Sequence, residues 1–303
     1  MIYCFVKEIK IKFRKEVLYM NKKTKAIIFI ITSAFFFALM NTFVKFSGDL
    51  PAVQKSFFRN FIALMAAAGI LKKTGLGFKP QRKNIKLLIV RSITGTVGIL
   101  GNFYAVGKLG LADASMIQKL SPFFAIIFSF LFLKEKVRLY QIFCVFGAFA
   151  GSLFVIKPGT NVDIFPALIG VLGACGAGSA YTAVRALGNK GEKGPIIVFF
   201  FSSFSCVVTL PYILFNYEPM SLYQLSMLLL AGLSAAGGQF SVTAAYQNAP
   251  AKEISVFDYS QVIFAAAFGF IFMGELPDIY SVLGYIIICG VSIIMFLNGK
   301  RKN

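Results

Sequence analysis

Residues 113–135 read DASMIQKLSPFFAIIFSFLFLKE, and the fold turns on how that stretch is understood. It is long enough to cross a bilayer, which takes about 20 mostly apolar residues. Yet its first half carries Gln118, Lys119, Ser121 and Pro122. It also has an echo. Residues 253–275, EISVFDYSQVIFAAAFGFIFMGE, line up with it at an offset of about 140 residues. Ser115 falls on Ser255, Gln118 on Asp258, Lys119 on Tyr259, Ser121 on Gln261, Phe130 on Phe270, Glu135 on Glu275 and Tyr140 on Tyr280. The chain therefore reads as two related halves, each contributing one polar-studded membrane helix.

The rest of the sequence agrees with a membrane setting. The 303 residues are 57% hydrophobic and only 14% charged, and mean hydropathy is +0.76. A soluble domain carries about a quarter charged residues. Lipid leaves no partner for an open backbone, so only helices or closed barrels span it. The apolar runs are continuous rather than alternating, which selects an all-α integral membrane protein over a barrel. Ten spans are expected, at 26–46, 53–71, 86–107, 113–133, 138–156, 165–187, 195–215, 223–247, 252–273 and 280–298.

The formal charge of +19 does not imply nucleic acid, because the basic residues sit in short flanks between apolar runs. Such flanks orient helices by the excess of Lys and Arg on the cytoplasmic side. With the N-terminus inside, the opposite face keeps only Lys45, Lys55, Lys108 and Lys157, and the spans keep Arg59, Arg91 and Lys119. Both termini are thus expected to be cytoplasmic. Span 4 maps onto span 9, a shift of five helices. Five is odd, so the halves enter the membrane in opposite senses, as two inverted five-helix repeats. The division is a basic cytoplasmic segment at 1–25, repeats at 26–157 and 165–298, and a basic tail at 299–303. Residues 1–25 allow an amphipathic surface helix. Met20 would also make an ordinary start, leaving residues 1–19 without a structural role.

There is no histidine, which removes the commonest general base and metal ligand. Cys4, Cys144, Cys175, Cys206 and Cys289 are scattered without redox or metal-ligand spacing. No cofactor and no enzymatic activity are expected, and no Walker-type phosphate loop is present.

The polar residues inside spans carry the chemistry. Spans 3 and 8 are rich in Gly, Ala and Ser, which lets helix backbones approach closely. They also hold Asn102, Tyr104, Gln239 and Tyr246, and span 1 holds Asn41. Lys119 enters span 4 from one face and Asp258 enters span 9 from the other. At 1.5 Å per residue each lies roughly 9 Å deep, so their backbones are expected about 12 Å apart along the normal. A direct ion pair is then a long reach. Three readings remain: they grip opposite ends of a substrate, each guards a gate, or they join Gln118, Tyr259 and Gln261 in a network fixing helix register. Arg59 and Arg91 either snorkel to the interface or face a cavity, which would then favour an anion. Arg185 is expected to snorkel, and Glu135 and Glu275 to stabilise the helices that follow them.

At these residues the chain resembles a known family. LSPFFAIIFSFLFLKEKVRLYQ followed by FCVFGAFAGSLFVI is similar to the repeat of the drug/metabolite transporter superfamily, in its EamA-type ten-helix branch. Pro122 matches the family's proline in the penultimate helix of the repeat. Gly274-Glu275 matches its closing Gly-Glu, where the first half has Lys134-Glu135. Tyr181 and Arg185 resemble the family's tyrosine and arginine late in the sixth helix. The second half has Val262 in place of Pro122, so no kink is expected in span 9. The resemblance implies ten helices around a central cavity and alternating access.

The expected function is secondary transport of a small charged or zwitterionic, amino acid-like metabolite. The alternatives are a drug or lipid exporter of the same fold, a channel, and an intramembrane enzyme. The candidate substrate-binding residues are Lys119, Gln118, Asp258, Tyr259, Gln261, Asn102, Tyr104, Gln239, Asn41 and Arg91. Asp258 and Pro122 are candidates for ion coupling or gating, Asp258 because a buried carboxylate can exchange its charge for a proton. The expected partners are a small-molecule substrate and the lipid bilayer, with a monomer as the default state. The expected location is the bacterial plasma (inner) membrane.

Overall fold

The structure is a computed structural model describing residues 21–109, 117–156, 163–274, 276 and 278–300. The expectations for residues 1–20, for Glu275 and for residues 301–303 lie outside these.

Continuous apolar runs become helices here because a helix pairs its backbone within itself. The longer helices are α1 (Lys22–Phe46), α2 (Ala52–Thr74), α3 (Ile85–Lys108), α4 (Ser121–Leu133) and α5 (Leu139–Ile156). They continue with α6 (Ile164–Asn189), α7 (Gly194–Phe215), α8 (Leu222–Asn248), α9 (Ser260–Met273) and α10 (Ile279–Lys300). Among the described residues there is no strand. Eight segments are long and apolar enough to cross a membrane. α2 falls below that mark because its first turns carry Gln54, Lys55, Arg59 and Asn60, and α4 because it has 13 residues.

The packing pairs survive an exchange of α1–α5 with α6–α10. The contact between α1 and α8 becomes that between α6 and α3, and these two are the most extensive in the molecule. The α4–α6 contact becomes α9–α1, and α2–α8 becomes α7–α3. The α2–α7 and α5–α10 pairs map onto themselves.

Small residues set the closest of these approaches. A Cβ at Gly101 of α3 would lie 2.8 Å from Gly173 Cα and 2.8 Å from Ile169 O of α6. A Cβ at Gly176 would lie 2.7 Å from Thr94 O. In α8, Gly237 and Gly238 instead receive the rings of Phe36 and Phe37 of α1. The small-residue faces of spans 3 and 8 thus pack against spans 6 and 1.

Spans 4 and 9 both depart from a regular α-helix. Ile117 and Gln118 are helical, Lys119 and Leu120 form a turn, and α4 restarts at Ser121. Pro122 stands in its first turn, where a missing N–H does no harm. In the second half, one helical turn at Ala251–Ile254 tightens into a 3₁₀ segment, Ser255–Tyr259, before α9. Span 9 is thus helical throughout but changes its winding at Ser255–Tyr259. No proline is needed there, because Tyr259 is fully buried and its hydroxyl donates to the Lys119 carbonyl at 2.9 Å. That tertiary contact accompanies the tighter winding.

Candidate functional site

The two irregular stretches meet. Lys119 Nζ donates to Gln261 Oε1 at 2.7 Å and lies 3.5 Å from Asp258 Oδ2. The direct ion pair that looked a long reach is therefore made, with Lys119 in a turn and Asp258 in a 3₁₀ segment. Lys119, Asp258 and Gln261 form one cluster linking the halves, with Gln118, the echo counterpart of Asp258, beside it on the same cavity wall.

That cluster forms part of the wall of a cavity of about 430 Å³. Asn41, Arg91, Asn102 and Gln239 also line it, as the sequence suggested, together with Arg59, Tyr181, Phe37 and Phe201. Tyr259 and Pro122 are buried and do not line it. Tyr104 lies off the cavity, its ring edge-on to Phe165.

The lining is cationic. Lys45, Lys55, Arg59, Arg91 and Lys119 contribute positive charge, against Asp49 and Asp258. Arg59 is held: Nη1 donates to Asn60 Oδ1 at 2.9 Å, Nε points to Met40 Sδ at 3.3 Å, and the Phe37 ring lies 6.0 Å away. Asn60 is itself fixed by donating to Ser205 Oγ of α7 at 2.9 Å. Arg91 is only 2% exposed, with Cζ 3.9 Å from the Phe201 ring centroid. Both arginines turn inward and neither snorkels. Among the described residues neither has a carboxylate partner.

The cavity reaches the end of the molecule formed by the α1–α2 turn, where Gly48, Asp49 and Leu50 line it. Toward the opposite end it is stopped by Tyr181 stacked on Tyr246, centroids 4.8 Å apart and planes 9° apart. One turn beyond Tyr181, Arg185 Nε meets Glu135 Oε1 at 3.2 Å and Nη1 donates to Gln247 O at 3.2 Å. Arg185 is thus an inter-half clamp and not a snorkelling residue, and Glu135 is its partner. Further contacts join the halves at this end, among them Lys23 with Glu253, Gln81 and Asn84 with Glu192, and Lys252 with the Lys136 carbonyl.

Among the described residues no three His, Cys, Asp or Glu side chains cluster as metal ligands. Sequence reasoning left Arg59 and Tyr181 out of the site. The signal for Arg59 was its place inside a span beside Asn60, the same signal that singled out Arg91.

Comparison with known proteins places this arrangement. A pseudopaline exporter, CntI, of Pseudomonas aeruginosa is 30% identical over 266 residues, covering 86% of this chain and 92% of its own. Solute carrier family 35 member G1 of Mus musculus is 29% identical over 297 residues, covering 90% and 79%. A riboflavin transporter of Brucella anthropi is 25% identical over 270 residues, covering 85% and 93%. A solved crystal structure matches with a TM-score of 0.79 at 14% identity, over 90% of this chain and 98% of that one, a likeness of fold. The pattern of the EamA-like transporter family matches residues 24–157 and, a second time, residues 164–297. The chain belongs to the EamA-like transporter family of the drug/metabolite transporter superfamily.

Proposed function

We propose that this membrane transporter is a secondary transporter moving a small charged or zwitterionic metabolite by alternating access. The observation carrying the reading is a charged cavity of about 430 Å³ that reaches one end and is stopped at the other by the Tyr181–Tyr246 stack of the second half, with the inter-half Arg185–Glu135 pair beyond it. Two inverted five-helix repeats, divided near 157–165 and crossing the membrane ten times, account for the exchangeable packing pairs. The stopped end carries the basic flanks, so the positive-inside rule makes it cytoplasmic and the open end external. A multi-pass protein of the bacterial inner membrane fits this orientation. Opening the other way requires the Arg185–Glu135 and Tyr181–Tyr246 contacts to part while the external mouth closes. The exporter among the relatives supports outward movement.

In this reading the Lys119–Asp258 pair lies between the repeats, with Gln118 and Gln261, where their relative movement is felt. Asp258 remains the ion-coupling candidate.

The test is flux. Proteoliposomes holding the purified chain are loaded with a mixture of organic acids and amino acids, and the contents are compared by mass spectrometry with empty vesicles. Protein-dependent loss of a charged metabolite, abolished by Lys119→Ala, supports the reading. Protein-dependent loss of neutral hydrophobic solutes alone favours a drug or lipid exporter instead.

A further inference from the structure

Among the described residues, Arg91 is the arginine of the cavity whose buried donors lack acceptors. Its Nε and Nη1 are buried and have no hydrogen-bond partner, which leaves three N–H groups unsatisfied. A charge removed from water and left unpaired is among the costliest features a protein carries. The surroundings preserve it nonetheless. Phe201 covers one face of the guanidinium, and Gly95, one turn along α3, leaves space for it. A Cβ at Gly95 would fall 2.1 Å from Arg91 Nη1. Lys119, by contrast, already has Gln261 and Asp258.

We propose that Arg91, with Arg59 lining the same cavity, is the subsite for an oxyanion of the transported metabolite, a carboxylate or a phosphate. A guanidinium presents paired N–H donors to either group. Arg91 lines the cavity, and the proposal requires the guanidinium to turn about its last torsions so that its unsatisfied N–H groups meet the bound oxyanion. The substrate then supplies the acceptor the protein withholds, and Arg91 is fully paired only when the cavity is occupied. The Lys119–Asp258 pair becomes a link between the halves and not the primary anion grip. This inference rests on the transporter reading and narrows its substrate to anions and zwitterions.

The test is thermal unfolding of the detergent-purified full chain at constant ionic strength, with citrate and inorganic phosphate as probes and chloride as control. Binding to the native state raises the midpoint. A rise with citrate selects a carboxylate, and a rise with phosphate selects a phosphate. Arg91→Gln is expected to weaken that response at least about tenfold, the loss that a charge-assisted hydrogen bond implies. The same variant without ligand is expected to melt at or above the wild-type midpoint, because an unpaired buried charge has been removed. Gly95→Ala, which displaces the guanidinium, should weaken the response while Arg91 is retained. A structural arginine would give the opposite unliganded result, a lower midpoint, and that overturns the proposal. So does a wild-type chain indifferent to both anions, or an Arg91→Gln chain that responds like the wild type. Proteoliposome flux of neutral solutes, unaffected by Arg91→Gln, removes the subsite and leaves the transporter standing. An Arg91-dependent response to citrate or phosphate, with no solute moved at all, keeps the subsite and removes the transporter.

Discussion

Lys119 and Asp258 show how one residue pair changes meaning with half a turn of backbone. Taken along straight helices they stand apart, one toward each face. With Lys119 in a turn and Asp258 in a 3₁₀ segment, their side chains come within 3.5 Å. Each is now the other's counter-ion at a nearly dry site, with side-chain exposures of 6% and 16%. Removing one partner strands the other. Lys119→Met is expected to cost on the order of 3 kcal/mol, measured by denaturation in detergent. Lys119→Met combined with Asp258→Leu should recover part of that, because no lone charge remains. If the double variant is worse than the sum of the singles, the pair is not a mutual counter-ion. Residue identity was legible from the sequence alone: unusual polar residues inside apolar runs pointed to Lys119, Gln118, Asp258, Gln261, Asn102, Gln239, Asn41 and Arg91, all of which line the cavity. Side-chain direction was not legible. Nothing in the sequence separates an arginine that snorkels from one turned inward beneath Phe201 or toward Asn60, because that depends on which helix lies opposite.

At the scale of elements, the sequence pattern located the helices, and composition located the tight packing. It did not locate the second irregular stretch. Pro122 announced the first, since proline cannot donate within a helix. The 3₁₀ segment at Ser255–Tyr259 has no such marker, because it is matched by a contact from 140 positions away in sequence, Tyr259 to Lys119. Tyr259→Phe is therefore expected to loosen the segment and to cost about 1 kcal/mol, the net value of one hydrogen bond, with faster amide exchange over residues 255–259. Unchanged exchange there would show that the segment holds its shape without that bond. The α3–α6 seam gives a separate expectation. Gly101→Ala places a methyl group against the backbone of Gly173 and Ile169, atoms that cannot rotate away. Overpacking of this kind costs about 1–3 kcal/mol. Gly290→Ala, whose new methyl meets nothing within 4 Å, is the matched control and should melt like the wild type.

For the whole molecule, the two halves are joined at three levels. Gln54 with Glu218 and Gln224 with Ser47 link them at the open end. The Lys119 cluster links them in the middle, and Arg185 with Glu135 links them at the stopped end. Alternating access requires the outer two sets to break in turn while the middle persists. Loss of the Arg185–Glu135 clamp should bias the population toward the state open at the stopped end. The direct test is labelling of Asn102→Cys, on the cavity wall, in a chain whose native cysteines are replaced by serine. A membrane-impermeant maleimide is applied from each face, with and without Glu135→Gln. Labelling is expected chiefly from the external face, with a clear gain in cytoplasmic labelling once Glu135 is neutralised. Labelling from the cytoplasmic face alone, or a pattern indifferent to Glu135→Gln, would contradict the alternating-access reading.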